Sequence, residues 1–271
     1  MKTTCHTIRS LKRAFTLVEL LVVIAIIALL ISIVAPGLRR AREIAMSVSC
    51  ASNLRQWGML MGLYLEDNDF TFPNARSADP YANNHGQWWI MPMGSYMENP
   101  DILLCAKARL HPTPSELAGR DTFQPSRHDE CWGSTKRLGG SVVDWFFASY
   151  APNAWIMDPS EGTWGAPSSS WFWGRLDSSR SPSRVPLYLD SRWVDVWPHH
   201  TDRPNDQEWG GSGGHGYMRT VTLTRHGKQT NVVFMDGSSR RVDLIGLWGL
   251  KWHTEFEIGH EPDGGWPGWM R

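Results

Sequence analysis

Glu19 is a single carboxylate at the start of a long apolar segment, and this position suggests that it pairs with a positive charge. Every residue from 20 to 31 is apolar, and after Ser32 the apolar run continues to Ala35. A helix over residues 15–35 would have 21 residues and a length of about 30 Å, which matches the hydrocarbon core of a bilayer. A carboxylate in lipid costs roughly 2.5–3.5 kcal/mol near the centre and less near an end, so Glu19 calls for a cationic partner. Snorkelling of its side chain to the membrane surface is the alternative.

The residues before this segment carry positive charge only. Residues 1–14 contain four basic residues and no acidic one, so the positive-inside rule predicts a cytoplasmic N-terminus. An ordinary secretory signal would end in an Ala-x-Ala-like site after the apolar run. The run ends instead in Ile33-Val34-Ala35-Pro36, which offers no such site. An ordinary signal peptide and a plain membrane anchor are the alternatives that this pattern disfavours.

The order of a basic leader, Phe15-Thr16-Leu17-Val18-Glu19 and an apolar helix resembles the N-terminus of type IV prepilins. The resemblance implies that prepilin peptidase cleaves between Ala14 and Phe15 and that the new amine of Phe15 is methylated. Ala14 stands where the family usually has glycine. The resemblance also implies that Glu19 pairs with the N-terminal amine of a neighbouring subunit during assembly, so that neither charge is left alone in lipid.

The same resemblance implies a location and a set of partners. The chain is expected in the inner membrane as a single-pass protein, with a cytoplasmic N-terminus and a periplasmic head, and in a filament after assembly. The expected partners are prepilin peptidase, other pilin-like subunits and an inner-membrane assembly platform. Without the four basic leader residues the chain carries a net charge of −4, which argues against nucleic acid as a main partner.

The sequence pattern divides the chain into four segments and predicts an α+β fold. The segments are a leader (1–14), a transmembrane helix (15–35), an amphipathic continuation of that helix (36–69) and a loop-rich head (70–271). The continuation is amphipathic because apolar residues recur at spacings of three and four, namely Cys50, Leu54, Trp57, Met61 and Tyr64. Pro36-Gly37 is expected to kink the helix. We therefore expect a long membrane-spanning helix packed on a small antiparallel β-sheet head with extensive loops, as in pilins.

The strands of the head are predicted mainly near its C-terminus. Residues 217–225 alternate between apolar and polar, and two further strand-like runs, 231–235 and 239–244, flank Asp236-Gly237. Asp-Gly between two such runs predicts a hairpin, because glycine accepts the positive φ of the turn. These three runs predict a three-stranded antiparallel meander packed on the amphipathic helix. In the irregular region before them, residues 142–147 and 185–189 are the best candidate strands.

His226, nine further residues and Asp236-Gly237 resemble the H-X9-DG signature at the C-terminus of a large bacterial group of prepilin-type proteins. Residues 50–58, 149–153 and 247–253 look like that group too, whereas Cys105-Ala106 departs from its frequent Cys-Pro. As chemistry, His226 and Asp236 could form half of a metal site or an acid–base pair. The turn at Gly227 argues against their direct contact, which favours structural roles as a turn former and a hydrogen-bond anchor.

The sequence contains no recognised zinc-binding spacing and no phosphate loop. Its histidines do not form His-x3-His with a third ligand, and no catalytic constellation is apparent. We therefore expect no enzyme activity and no metal cofactor. Calcium is the open alternative, because major pseudopilins are known to hold calcium near their C-termini and calcium prefers oxygen ligands. The candidate acids, which could equally be solvated turn residues, are Asp202, Asp206, Glu208 and Asp263 before Gly264-Gly265.

Three cysteines remain once the leader with Cys5 is removed. They are Cys50, Cys105 and Cys131, and an odd number leaves at least one free or paired between chains. An exported protein can form disulfides, and Cys50 lies on the inward face of the predicted helix. A possible disulfide joins it to Cys105, and packing of Cys50 as a small apolar side chain is the alternative.

Two functional classes fit this sequence. The first is a pilin-like structural subunit, processed by prepilin peptidase and assembled into a type II secretion-like pseudopilus or a type IV pilus-like filament. The second is a membrane-anchored exported binding or adhesive protein with an aromatic head that recognises polysaccharide. The 16 tryptophans permit both, since tryptophan stacks on sugars and also fills cores.

We predict that the mature protein begins with N-methylphenylalanine at Phe15. The basic leader directly before Phe15 and the apolar helix after it motivate this expectation. Mass spectrometry of the N-terminal peptide of the membrane-extracted protein checks it. An intact Met1, or a terminus after Ala35, would contradict the resemblance to prepilins.

Overall fold

The computed structural model describes residues 16–74, 87–118, 120, 122–125, 127–138, 141–161, 167–208, 217–262 and 264–271. The chain divides into two compact units, one ending at Ile44 and the other beginning at Ala45. The second unit, which we call the head, contains both sheets and all of the buried core. The α+β class predicted from sequence is confirmed.

The longest element is helix α1 (Leu17–Asp67), with 51 residues and Pro36 inside it. Its C-terminal end lies within the polar run Glu66-Asp67-Asn68-Asp69. Asn68 Nδ2 donates to the Tyr64 carbonyl oxygen at 2.7 Å, and the Phe70 N–H donates to the Leu65 carbonyl oxygen at 2.7 Å. Asp69 and Phe70 have φ values of 50° and 58°, which the right-handed helix does not allow, so the chain leaves the helix here.

One face of the C-terminal half of α1 is buried in the head. The buried residues recur at spacings of three and four and are Ser47, Cys50, Leu54, Trp57, Met61 and Leu65. The predicted amphipathic face is therefore correct up to Met61. Tyr64, expected next on that face, is only half-buried, and Leu65 takes its place. The next buried residue on this face is thus four positions after Met61, not three as predicted.

Two antiparallel sheets form the rest of the regular structure. The first contains β1 (Thr122–Phe123), β2 (Trp132–Leu138) and β3 (Ser141–Ala148), in that order. The second contains β4 (Tyr150–Pro152), β5 (Pro186–Asp190), β6 (Gln229–Phe234) and β7 (Ser239–Asp243), also in order. The two strands predicted in the irregular region correspond to β3 and β5. The short helices α2 (Gln87–Met93) and α3 (Pro114–Leu117) come before β1, and several 3-10 turns lie between the later strands.

The C-terminal hairpin is confirmed, but the predicted three-stranded meander is wrong. Gly237 has φ of 78° in the turn between β6 and β7, as the Asp-Gly pair required. Residues 217–225 form no strand. They contain the 3-10 turn Met218–Thr220 and the start of a second one, Thr224–His226. The neighbour of β6 on its other side is β5.

The reason for this difference lies in the surroundings of residues 218–223. All six of them except half-buried Arg219 are buried, so the alternation of threonine with valine and leucine does not mark one solvent face. Their carbonyl oxygens also bond outside any ladder. Thr220 accepts from the Arg192 N–H at 3.0 Å, and Thr222 accepts from Asn205 Nδ2 at 3.4 Å. Apolar–polar alternation indicates a strand only where one face meets water.

Tryptophan side chains join the loops of the head to one another. Among the described residues, six tryptophans are less than 2% exposed, and each of their indole N–H groups donates to a backbone carbonyl oxygen. They are Trp57, Trp89, Trp132, Trp155, Trp248 and Trp252. A loop-rich fold buries backbone carbonyl groups that no strand can satisfy, and an indole supplies both apolar area and one donor. Of the two roles that the sequence permits for tryptophan, these six residues have the core-filling one.

Two glycines of α1 test how closely the helix packs on β6. A Cβ atom on Gly58 would lie 2.8 Å from Val233 Cγ2, whereas a Cβ on Gly62 would meet no atom within 4 Å. Gly62→Ala should stabilise the protein by up to about 1 kcal/mol, because alanine favours the helix. Gly58→Ala should be about 1–3 kcal/mol less stable than Gly62→Ala, because buried Val233 is stiff and must shift.

Denaturant unfolding of the detergent-solubilised protein, followed by tryptophan fluorescence, measures this difference. Gly62→Ala serves as the matched control, because it makes the same substitution one turn further along the same helix. Equal stabilities for the two variants would show that α1 does not pack closely on Val233.

Candidate functional site

The N-terminal motif begins with reciprocal hydrogen bonds between Thr16 and Glu19. Glu19 Oε2 accepts from the backbone N–H and from the hydroxyl of Thr16, each at 2.8 Å, and Thr16 Oγ1 accepts from the Glu19 N–H at 3.2 Å. This arrangement is a capping box, which satisfies free N–H groups at a helix start. Glu19 therefore has a local partner within the chain. Ala14 and Phe15, the predicted processing residues, lie outside the described residues.

The segment after Glu19 is apolar on every side and buries nothing within its own unit. All residues from 16 to 44 are exposed, among them 14 large apolar side chains from Leu17 to Val34. Within the described part of the chain, α1 is the one helix that is long and apolar enough to cross a membrane. A helix without a polar face requires lipid or other apolar helices around it.

A second group of reactive side chains lies inside the head. It consists of Cys50 on α1, Cys105 in the segment before β1, and His226 before β6; we call it the thiol–histidine cluster. The two sulfurs and one imidazole nitrogen lie within 4.8 Å of one another, and Cys105 Sγ is 3.4 Å from His226 Nε2. All three residues are buried.

Asp190, at the end of β5, gives this cluster a negative charge. Its Oδ2 lies 3.5 Å from His226 Nε2 and accepts weakly from Thr230 Oγ1 and the Asn231 N–H, both at 3.4 Å. Burial alone would lower the pKa of His226, but the Asp190 carboxylate outweighs burial and raises the pKa to about 9. Burial would likewise raise the pKa of Asp190, and the nearby His226 holds it below its ordinary value.

The position of Cys50 and Cys105 depends on contacts between α1 and residues 102–106. Trp57 Nε1 donates to the Ile102 carbonyl oxygen at 3.1 Å, and Asn53 Nδ2 donates to the Leu104 carbonyl oxygen at 3.0 Å. The Ala106 N–H donates to Cys50 Sγ at 3.1 Å. A proline at position 106, as in the group with Cys-Pro, would have no N–H to donate. Ala106 in its place therefore allows a hydrogen bond to the sulfur of Cys50.

His226 is placed by its neighbour Arg225, which sequence reasoning missed. The Arg225 guanidinium is buried and donates to four backbone carbonyl oxygens at distances of 2.7–3.0 Å. The acceptors are His128, Glu130, Ser149 and Ser191. These bonds join three separate parts of the chain next to the cluster. No spacing pattern reveals a buried arginine of this kind, whereas a carboxylate directly after the predicted apolar strand 185–189 was a usable signal for Asp190.

The H-X9-DG residues occupy the two ends of β6. His226 contacts Cys105 and Asp190, whereas Asp236 Oδ1 accepts from the backbone N–H of Ser238 at 2.9 Å in the hairpin turn. Their separate partners agree with the expectation that the two residues do not touch. The nine-residue interval is filled by a short turn, the six residues of β6 and Met235.

The structure brings together the two cysteines of the possible disulfide, as free thiols. Cys50 and Cys105 both face His226, and the disulfide itself stays a prediction. Cys131 is also free and lies apart from this cluster, with its Sγ donating to the Leu110 carbonyl oxygen at 3.3 Å.

The acids proposed for calcium are not gathered into one group of ligands in the described residues. Asp202 Oδ2 accepts from the His199 and Met218 N–H groups at 2.9 and 3.1 Å, which is a structural use of the carboxylate. Asp206 and Glu208 are exposed. Asp263 lies outside the described part of the chain.

Several tryptophans considered for glycan binding pack within the head. Trp155 is the centre of an aromatic–histidine cluster whose other members are Trp171, Phe172, Trp197, His199 and His253. The Trp171 and His253 rings stack at 4.5 Å with an interplanar angle of 7°. Trp269 Nε1 donates to the Asn205 carbonyl oxygen at 3.0 Å, and Trp266 packs edge-on against Trp248.

Comparison with known proteins identifies the N-terminal segment. Residues 9–35 match the family described as the prokaryotic N-terminal methylation motif. No curated protein and no solved structure matches the chain. The motif supports a type IV pilin-like or pseudopilin-like protein that prepilin peptidase processes, and with the apolar helix it indicates a membrane-anchored protein.

His253 should make the head sensitive to mild acid. Burial, followed by the neighbouring His199, lowers the pKa of His253 from 6.5 to about 3. Between these two pKa values His253 is protonated in the unfolded chain and neutral in the folded chain. The free energy of unfolding therefore has its full value above pH 6.5 and decreases as the pH falls from about 6.5 towards 3. Each pH unit in this window costs at most about 1.4 kcal/mol from this residue.

His253→Asn tests this expectation and keeps an acceptor for the Glu255 N–H, which donates to His253 Nδ1 at 3.2 Å. Chemical denaturation at pH 7.5, 6 and 5 should show that the free energy of unfolding decreases less with falling pH in the variant than in the wild type. Above pH 7 the free energies of unfolding of the two proteins should depend on pH in the same way. Identical slopes between pH 6 and 5 would contradict the buried neutral state of His253.

Proposed function

We propose that this chain is a pilin-like structural subunit, without enzyme activity, that assembles into a type II secretion-like pseudopilus or a type IV pilus-like filament. The observation that carries the proposal is the methylation motif at residues 9–35, together with an apolar first part of α1 whose side chains are all exposed up to residue 44. The partners in this proposal are prepilin peptidase, an inner-membrane assembly platform and other pilin-like subunits.

The exposed apolar surface of α1 supports assembly as well as membrane insertion. Residues from Leu17 to Val34 expose apolar side chains on all sides. Leaving the bilayer would return this surface to water at a cost of about 25 cal/mol per Å². Packing of the same helices against one another in a filament removes that cost, so one apolar segment serves both states of the subunit.

Glu19 gains a defined role in this process. In the isolated chain its carboxylate accepts two hydrogen bonds from Thr16, and both reach the same oxygen, Oε2. A capping box satisfies backbone donors but leaves the negative charge of Glu19 without a counter-charge. When subunits pack side by side, the N-terminal amine of a neighbouring subunit supplies that counter-charge. In each chain the amine of Phe15 lies one helical turn before Glu19, so a small shift between neighbouring helices brings the two groups together.

The head has the features of a structural module. The sequence suggested a polysaccharide-binding head as the alternative, and the half-buried Trp171 and Trp197 would be its candidates. Both rings pack inside the aromatic–histidine cluster. This packing favours the structural subunit over the glycan-binding alternative.

Substitutions at Glu19 and Thr16 separate helix capping from charge pairing. Glutamine can take the place of glutamate in a capping box, so Glu19→Gln keeps the cap and removes the charge. Thr16→Ala removes the cap, at a cost of about 1 kcal/mol, and keeps the charge. We expect Glu19→Gln to be inserted and cleaved but to be absent from sheared filaments, and Thr16→Ala to be incorporated.

Immunoblotting of sheared filaments and of the membrane fraction measures both steps. Normal incorporation of Glu19→Gln would rule out charge pairing as the basis of assembly. Loss of incorporation in Thr16→Ala alone would assign the role of Glu19 to helix capping instead.

A further inference from the structure

We propose that Cys50, Cys105 and His226 bind a zinc ion, with Asp190 as the fourth ligand. The site lies inside the head and does not depend on the proposed assembly function. Within the described residues, these three form a group of potential metal ligands whose donor atoms lie within 4.8 Å of one another. Two sulfurs and one imidazole are the donor set that zinc prefers in structural sites.

The distances fit a tetrahedral ion. Zinc binds cysteine sulfur at about 2.3 Å and histidine nitrogen at about 2.0–2.1 Å, so neighbouring ligand atoms stand about 3.3–3.8 Å apart. Cys105 Sγ and His226 Nε2 are 3.4 Å apart. Asp190 Oδ2 lies 3.5 Å from the same nitrogen. His226 Nε2 therefore has two potential co-ligands at the separation that a shared ion requires.

The buried polar atoms around the cluster also point to a cation. Asp190 is 1% exposed, and its Oδ1 has no hydrogen-bond partner among the described residues. The hydrogen bonds to Oδ2 from Thr230 and Asn231 are long, at 3.4 Å each. Arg225, the nearest guanidinium, donates to four carbonyl oxygens instead. A buried carboxylate so weakly bonded requires a positive charge beside it. Protonated His226 supplies that charge in the metal-free protein, and Zn²⁺ would supply it once His226 binds the ion as a neutral imidazole.

The charges balance once an ion is present. Two thiolates and the Asp190 carboxylate carry three negative charges, which Zn²⁺ and the buried Arg225 guanidinium together neutralise. The Ala106 N–H already donates to Cys50 Sγ at 3.1 Å, and such a hydrogen bond favours a thiolate over a thiol. The ligand set is thus matched in charge to a divalent ion.

The four ligands come from parts of the chain that are distant in sequence. Cys50 lies on α1, Cys105 before β1, Asp190 on β5 and His226 before β6. An ion held by all four would join α1 to the second sheet at one point. Its role is structural, because all four coordination positions are filled by protein and none is left for substrate.

Metal analysis of the full-length protein tests the site. The protein is extracted from membranes in detergent, without chelators, and its zinc is measured by mass spectrometry. We expect about one zinc per chain, released by a mercurial reagent that reacts with thiols and detected with a metallochromic dye. Replacement by Co²⁺ should give the intense absorption of sulfur-to-cobalt charge transfer, which reports thiolate ligands directly.

Variants assign the ligands. Cys50→Ser and His226→Gln should each lower zinc affinity by more than about 100-fold, since loss of even an outer-shell partner costs 10–100-fold. Asp190→Asn should weaken binding and change the cobalt spectrum. Cys131→Ser is the matched control, because Cys131 is equally buried but lies outside the cluster, and it should keep one zinc per chain.

Two results would overturn the proposal. One is a zinc-free wild-type protein in which peptide mapping without reductant recovers Cys50 linked to Cys105, because a disulfide and a zinc site exclude each other. The other is full zinc content in the Cys50→Ser/Cys105→Ser double variant. The mercurial release is measured on wild-type protein, so the proposal stays testable even where a variant does not fold.

Discussion

Three hydrogen bonds hold residues 102–106 against α1, and the meeting of Cys50 with Cys105 depends on them. A helix has no spare backbone donors on its side, so it can satisfy a neighbouring segment only through side chains. Trp57 and Asn53 donate to two carbonyl oxygens of that segment, and Cys50 accepts one of its N–H groups. From Trp57 to Cys50 the helix rises about 10 Å, and along it the partners Ile102, Leu104 and Ala106 follow in the opposite order. The two segments can thus run side by side in opposite directions with a contact at every turn.

The same principle explains why a head with so little regular structure can be well packed. Buried loops carry backbone groups that lack ladder partners, and each must be satisfied individually. Indole donors do this for carbonyl oxygens in several loops, and the single guanidinium of Arg225 does it for four more. Asn153 adds two, through hydrogen bonds from its Nδ2 to Pro186 and Trp252. Long side chains with rigid donors therefore replace strands as connections, which suits a chain rich in tryptophan.

Much of the fold could be predicted from local patterns, and the candidate cluster could not. The apolar run, the amphipathic row from Cys50 to Met61 and the Asp-Gly hairpin depend on neighbouring residues only, and all three are confirmed. Residues 217–225 were misassigned because their alternation is buried on both sides. The meeting of Cys50, Cys105 and His226 depends on tertiary packing across 176 residues of chain, for which no spacing rule exists. Asp190 directly follows the predicted strand 185–189, and nothing further in the sequence marks its role.

The interval between His226 and Asp236-Gly237 shows how strictly β6 ties the cluster to α1. Asn231 Nδ2 donates to the Ser47 carbonyl oxygen on α1, and Val233 faces Gly58 one strand period further along. Residues two apart in a strand share a face, so both contacts belong to the side of β6 that meets the helix. A change of one residue in the interval would turn Val232 towards α1, or else move His226 away from Cys105 and Asp190. Only one length of this interval keeps the histidine at the cluster, the inward face on the helix and the glycine in its turn.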